Sequence, residues 1–272
     1  MTIEPGPAVW ATDRSIRSPG RFEWAPLRSD WLARVIVALD LAPTEALELA
    51  RRLQGEASWV KVGLTLFNAA GPEIIRQLKA LGYQVFLDGK FLDIPHQVAG
   101  AVASAVASGA DMLTVHGLGG VAMLEAAAAG IRQASMASGQ KPPAILAVTV
   151  LSSFDEASLR STGVLRPLSE QVLALTESAL DSGLAGVVAS PQELGLLRQR
   201  FGGQPLIVTP GIRPANYSAH STADDQARTA DPQTAFAGGA DYIVVGRPIT
   251  AAADPLAAFR ALLDNNQGVD HE

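Results

Sequence analysis

The stretch QVFLDGKFLDIPHQ, residues 84–97, joins an apolar strand to a cluster of charges. Val85-Phe86-Leu87 runs into Asp88-Gly89-Lys90, and Asp93 follows three residues later, past the strand end, on a loop or helix start. On a β-strand, residues i and i+2 share a face about 6.7 Å apart, so Asp88 and Lys90 point the same way. Opposite charges about 4 Å apart attract by roughly 4 kcal/mol at an effective dielectric near 20, and two carboxylates that close repel comparably. A solvated salt bridge at a strand end would use the same residues. The surrounding chain decides between the two readings.

Outward from this stretch, from residue 33 on, one pattern repeats: apolar strand, loop, amphipathic helix. The spacing predicts strands at 33–39, 59–64, 84–89, 112–116, 144–151, 186–190, 206–209 and 242–246. Helix starts are marked by Pro43-Thr44-Glu45, Gly71-Pro72-Glu73, Pro191-Gln192-Glu193 and Asp254-Pro255. Near-continuous apolar strands alternating with helices indicate a parallel sheet covered by helices. Eight such units predict an α/β fold, a single-domain (β/α)8 barrel over residues 31–272. A doubly wound open sheet would favour a Gly-x-Gly-x-x-Gly turn after an early strand, and none is present. Residues 1–30, rich in Pro, Gly, Ser and Arg with Trp10 and Trp24, read as an N-terminal extension.

In a barrel, ligand chemistry belongs at the C-terminal ends of the strands, and polar residues concentrate there. Strand 1 ends in Asp40, strand 2 carries Lys61, and strand 3 carries Asp88 and Lys90. Strand 4 ends Thr114-Val115-His116, and strand 5 ends Thr149-Val150-Leu151-Ser152-Ser153. Strand 7 ends Thr209-Pro210-Gly211-Ile212-Arg213, and strand 8 ends Gly246-Arg247-Pro248. The loops after strands 7 and 8 of such barrels recurrently hold a phosphate with a helix N-terminus. Gly211 and Gly246 would let backbone N–H groups approach an anion, and Arg247 offers a bidentate guanidinium. The loop from Arg213 to Thr229, with Gln226 inside it, is long, polar and free of apolar periodicity, which is the character of a functional lid.

Composition bounds the remaining classes. The chain has 272 residues, 48% hydrophobic and 18% charged, with a net charge of −6, enough for one large domain with a substantial core. Lys and Arg are scattered rather than clustered, so neither nucleic acid nor a membrane surface is an expected partner. With no cysteine, disulfides, thiolate metal sites and cysteine nucleophiles are excluded. Alanine-rich runs such as Ala126–Ala129 do not reach a spanning length, and the polar N-terminus has no signal-peptide core, so a soluble cytoplasmic protein is expected. His96, His220 and His271 form no metal-ligand spacing, and His116 reads as a barrel-rim residue.

Asp88-Gly89-Lys90-Phe91-Leu92-Asp93-Ile94-Pro95 resembles the signature of the orotidine 5′-phosphate decarboxylases, which carry out the last step of UMP synthesis. The likeness covers about residues 33–264. The resemblance implies that Asp40 binds the ribose and that Lys61 bridges ribose and Asp88. It also implies that Asp88, Lys90 and Asp93 form the charged array, with Asp93 donated across a homodimer interface. Ser152 matches the Thr or Ser placed against the pyrimidine edge. Pro210, Arg213, Gln226, Gly246 and Arg247 are similar to the phosphate-loop and phosphate-grip residues. The implied reaction is Lys90-assisted direct decarboxylation of orotidine 5′-phosphate to UMP and CO2, without a metal or organic cofactor.

Departures lie beside the array: many relatives have Leu, His, Asn and Thr where this chain has Gly89, Leu92, His96 and Gln97. The motif D-x-K-x-x-D is shared with sister sugar-phosphate enzymes such as hexulose-phosphate synthases. Those typically use a metal ion and lack the pyrimidine-edge and lid contacts, so Ser152 and Arg213 favour the decarboxylase. A non-catalytic nucleotide sensor would have lost Lys90 or a carboxylate.

Overall fold

The computed structural model describes residues 31–214 and 228–264, with side chains through Leu262. The expected extension, residues 1–30, and Gln226 lie outside the described residues. The first half of the chain runs β1 Val35–Ala38, α1 Pro43–Arg52, β2 Trp59–Val62, α2 Leu64–Ala70, α3 Glu73–Ala80, β3 Gln84–Phe91, α4 Pro95–Ala107, β4 Met112–His116 and α5 Gly120–Ser138. The second half runs β5 Ala144–Val148, α6 Glu156–Ser161, α7 Leu168–Asp181, β6 Gly186–Val188, α8 Leu194–Phe201, β7 Leu206–Thr209, α9 Pro232–Ala237, β8 Tyr242–Val245, α10 Arg247–Thr250 and α11 Pro255–Asp264. Strands pair in parallel in chain order and β8 pairs with β1, which closes the barrel. This is the (β/α)8 architecture expected from the eight strand and helix alternations.

The strands are apolar on both faces because both faces are covered. On β1, Val35 and Val37 pack against the helices, whereas Ile36 and Ala38 face the barrel interior with Trp59, Phe86, Met112, Leu146, Val208 and Tyr242. Trp59 and Tyr242 meet edge-on with ring centroids 5.4 Å apart and fill the lower interior. Inward residues recur every second position, so Lys61, Asp88 and Thr114 stand one layer above Trp59, Phe86 and Met112. The inner row is thus oily at the base and charged at the mouth.

Several predicted strand limits differ from the observed ones. Residues 33–34 belong to a short 3-10 turn before β1, and β5 and β6 end at Val148 and Val188 where the chain turns into loops over the mouth. β3 instead extends two residues beyond its expected end, because an irregularity lets pairing resume at Phe91.

Helix packing accounts for the alanine-rich segment. A Cβ on Gly130 of α5 would stand 2.8 Å from the Ala99 carbonyl oxygen of α4, so small residues let these two helices approach closely. No helix among the described residues is long and apolar enough to cross a membrane.

At the base, one device occurs twice. Asp111, before β4, accepts the Val85 N–H at 2.8 Å and pairs with Lys79 at 2.7 Å. Asp241, before β8, accepts the Ile207 N–H at 2.7 Å and pairs with Arg198 at 2.7 Å. Each carboxylate ties the start of one strand to its neighbour and to a covering helix.

Candidate active site

A cavity of about 450 Å³ opens at the C-terminal mouth of the barrel. Its floor is the apolar inner row, including Ala38, Phe86, Val148, Val188 and Val244. Of the residues proposed from sequence, Asp40, Lys61, Asp88, Lys90, Ser152, Pro210, Arg213, Gly246 and Arg247 line this one cavity.

Asp88 is the centre of the polar wall. Its Oδ2 lies 2.7 Å from the Lys90 Nζ and 3.7 Å from the Lys61 Nζ, and Lys61 also meets Asp40 Oδ1 at 3.0 Å. Its Oδ1 accepts the Thr114 hydroxyl at 3.0 Å. Asp88 and Lys61 are each only 8% exposed, where an unpaired charge would be costly. Burial alone would raise the Asp88 carboxyl, but the Lys61 and Lys90 charges and the hydrogen bonds from Lys90 and Thr114 outweigh it. Its pKa falls below the ordinary 3.8, and the group stays ionised at neutral pH.

The local backbone is not the regular strand that the period-two reading expects. β3 and β4 pair at Leu87 with Leu113 and next at Phe91 with Val115, so Asp88, Gly89 and Lys90 together face Thr114. Lys90 has φ +47°, a left-handed conformation that costs a non-glycine residue roughly 1–3 kcal/mol. Asp88 and Lys90 do share the cavity, as expected, but a bulge brings them together. Gly89 also gains a reason here: a Cβ would stand 2.8 Å from the Phe91 ring.

Gly63 has a similar part beside β2, where a Cβ would stand 2.7 Å from Asp40 Oδ1 and 2.9 Å from the Lys61 Nζ. A side chain at 63 would separate that ion pair.

Across the mouth, the loops after β7 and β8 bring Pro210, Gly211, Arg213, Gly246 and Arg247 to the cavity. Gly211 has φ +80°, a turn that favours glycine. The helix expected to present its N-terminus to an anion is α10, which has only four residues, so the cationic character rests mainly on the two guanidinium groups.

Ser152 sits on the turn after β5, and that turn is held from behind. Arg228 donates to the Leu151 carbonyl at 3.0 Å and forms a buried ion pair with Glu193. Glu193 in turn accepts the Ser190 N–H at 2.6 Å, completing a capping box beside the cavity. Sequence reasoning assigns no role to Gly63 or Arg228, names Thr114 only among the polar strand ends, and reads Glu193 only as part of a helix start. Of these, only the Ser190-to-Glu193 spacing carries a readable signal.

His116 caps the turn after β4, its Nδ1 accepting the Leu118 N–H at 3.3 Å. Burial and the nearby Lys90 charge hold its pKa below 6.5, so the neutral imidazole is a rim residue. Asp93 does not line this cavity. It is exposed, accepts its own neighbour's Ile94 N–H at 2.6 Å, and borders a shallow depression with Phe91, Leu92, Gln97, Val98 and Ala101. Among the described residues no group of three His, Cys, Asp or Glu side chains is placed to hold a metal ion.

Residues 33–262 match the family described as Orotidine 5′-phosphate decarboxylase / HUMPS. The orotidine 5′-phosphate decarboxylase of Moorella thermoacetica is 48% identical over 231 residues, 84% of this chain and 90% of the relative. The enzyme of the same name from Nitratidesulfovibrio vulgaris is 45% identical over 233 residues, 85% of this chain and 97% of the relative. Among solved structures, orotidine 5′-phosphate decarboxylase from Lactobacillus acidophilus superposes with a TM-score of 0.74 at 39% identity, covering 87% of this chain and 100% of that one. A match that spans the barrel and reaches this identity is a matter of descent, and the chain belongs to the orotidine 5′-phosphate decarboxylase / HUMPS family.

Proposed function

We propose that this chain decarboxylates orotidine 5′-phosphate to UMP and CO2, the last step of UMP synthesis in the cytoplasm. The observation that carries the proposal is the polarity of one cavity. A lysine–carboxylate array built on Asp88 lies on one side, and Arg213 and Arg247 lie across the mouth. A nucleoside monophosphate has the matching order of groups: a dianion at one end and a heterocycle at the other. The family description spans sister enzymes, but the curated relatives above carry the decarboxylase name.

In this reading the phosphate is gripped by Arg213, Arg247 and the backbone near Pro210 and Gly246, with Gln226 as a further contact. Asp40 and Lys61 hold the ribose, and Ser152 meets the pyrimidine edge. The bond from C6 to the carboxylate breaks and leaves its electron pair on C6. No conjugated sink accepts that pair, so the Lys90 ammonium stabilises it and then delivers its proton to C6. A fixed cation aimed at developing charge is electrostatic preorganisation. Phosphate contacts remote from C6 contribute by fixing the ring against Lys90. The chemistry asks for no metal or organic cofactor.

The functional unit in this proposal is a homodimer of single-barrel chains, each a barrel from residue 31 onward with residues 1–30 as an extension. Asp93 does not line the cavity and is flanked by Leu92 and Ile94, both more than half exposed. Leu118, on the turn after β4, and Val121, in the first turn of α5, are also more than half exposed. A two-fold partner seated there would bury this apolar surface and bring each Asp93 to the other subunit's Lys90.

The test is loss of the orotate chromophore when the purified chain meets orotidine 5′-phosphate, with and without EDTA. Full turnover in EDTA is expected. No turnover would overturn the reading, and activity that requires added Mg²⁺ would point to the sister sugar-phosphate enzymes.

A further inference from the structure

We infer that Thr114 is a positioning residue for this reaction, holding the Asp88 carboxylate and the Lys90 backbone in one geometry. The inference rests on the decarboxylase reading above. Thr114 is the single β4 residue that faces the three-residue bulge of β3. Its Oγ1 accepts the Lys90 N–H at 2.9 Å and donates to Asp88 Oδ1 at 3.0 Å. One hydroxyl therefore connects the main chain of the proton donor to the carboxylate that orients its ammonium.

Three features make the hydroxyl, rather than the side-chain volume, the working part. The residue is fully buried at 0% exposure, so solvent has no access to replace the contact. The two oxygens of Asp88 are divided: Oδ2 faces the ammonium groups of Lys61 and Lys90, and Oδ1 takes the Thr114 hydroxyl. Without that donor the carboxylate can rotate about its last bond. Lys90 sits at φ +47°, and a lysine persists there only where surrounding contacts over-determine it. The hydrogen bond from its N–H to Thr114 is one such contact. Valine has nearly the shape of threonine and suits a strand equally well, so packing alone would accept either.

The experiment compares the parent with Thr114→Val, Thr114→Ser and Thr114→Ala in the chromophore assay, with thermal melts in parallel. A displacement of Lys90 Nζ by about 1 Å costs on the order of 10²-fold in rate. Thr114→Val is therefore expected to lose roughly 10- to 100-fold in kcat while KM stays within about 3-fold, and Thr114→Ser to recover to within about 3-fold of the parent. Should Thr114→Val fail to fold, Thr114→Ala is read in its place by the same criteria. Parent-like kcat in the variant without a hydroxyl, or an equal loss in Thr114→Ser, would overturn the inference, since packing would then be the whole role. An inactive parent would overturn the decarboxylase reading and this inference with it; an active parent matched by Thr114→Val overturns the inference alone.

Discussion

Ion pairs stand at both ends of the same barrel, built from the same residue types and arranged to opposite effect. At the base, Asp111 and Asp241 each have one cationic partner and one backbone N–H, so every charge answers to the scaffold. At the mouth, two ammonium groups lie within 4 Å of one Asp88 oxygen, and both lysines line the cavity. The backbone differs in the same sense. The base pairs join strands in register, whereas the mouth array sits on a bulge with a left-handed lysine. Strain and crowded charge persist where function is selected over stability. The base should therefore govern folding and the mouth turnover.

Three substitutions sharpen or break this contrast. The largest effect belongs to Lys90→Ala, which in the proposed mechanism removes both the proton donor and the cation beside C6. Activity on orotidine 5′-phosphate should fall by at least about 10⁴-fold, while the melting temperature stays near that of the parent. Unfolding of this variant would make Lys90 a structural residue and remove the contrast.

Arg247→Ala should cost less, about 10²-fold in kcat/KM for the phosphorylated substrate, as expected for loss of a charge-assisted contact. Turnover of the free nucleoside, which never had that contact, should hardly change. Equal losses on both substrates would show that Arg247 supports the fold instead.

Asp111→Ala should act on stability alone. Leaving the Val85 N–H and Lys79 without their carboxylate costs about 2–3 kcal/mol, or roughly 4–12 °C in melting temperature for a domain of this size. The kcat of the folded enzyme should stay within about twofold. A kcat loss comparable to that of Arg247→Ala would mean that base and mouth are coupled.

The fold was legible because apolar strands are long-range facts written locally: each buried run, such as Val35–Ala38 or Tyr242–Val245, appears as such in the sequence. Strand-end polarity gave nine cavity residues for the same reason, since barrel topology carries every strand end to one mouth. The bulge was not legible. Regular alternation already put Asp88 and Lys90 on one face, so nothing in the spacing required an irregular backbone. Thr114 was hidden by its suitability as an ordinary strand residue. Gly63 and Arg228 act through partners distant in the chain, Asp40 lying 23 residues before the first and Leu151 and Glu193 lying 77 and 35 residues before the second. Such pairings have no local signature. The α10 helix proved too short for the anion-binding N-terminus that the loop pattern suggested.

The central claim is the proposal that the catalytic array is completed by a second copy of the chain, because Asp93 is exposed and does not line the cavity that holds Asp88 and Lys90. Lys90→Ala and Asp93→Ala homodimers should each be nearly inactive. Mixed through unfolding and refolding, they should form heterodimers in which one site receives native Lys90 from one chain and native Asp93 from the other. Random pairing makes about half the dimers mixed, with one of their two sites intact, so about a quarter of sites should recover. Recovery near that level is the predicted result. No recovery despite demonstrated subunit exchange would mean that Asp93 acts within its own chain, and would contradict the shared array.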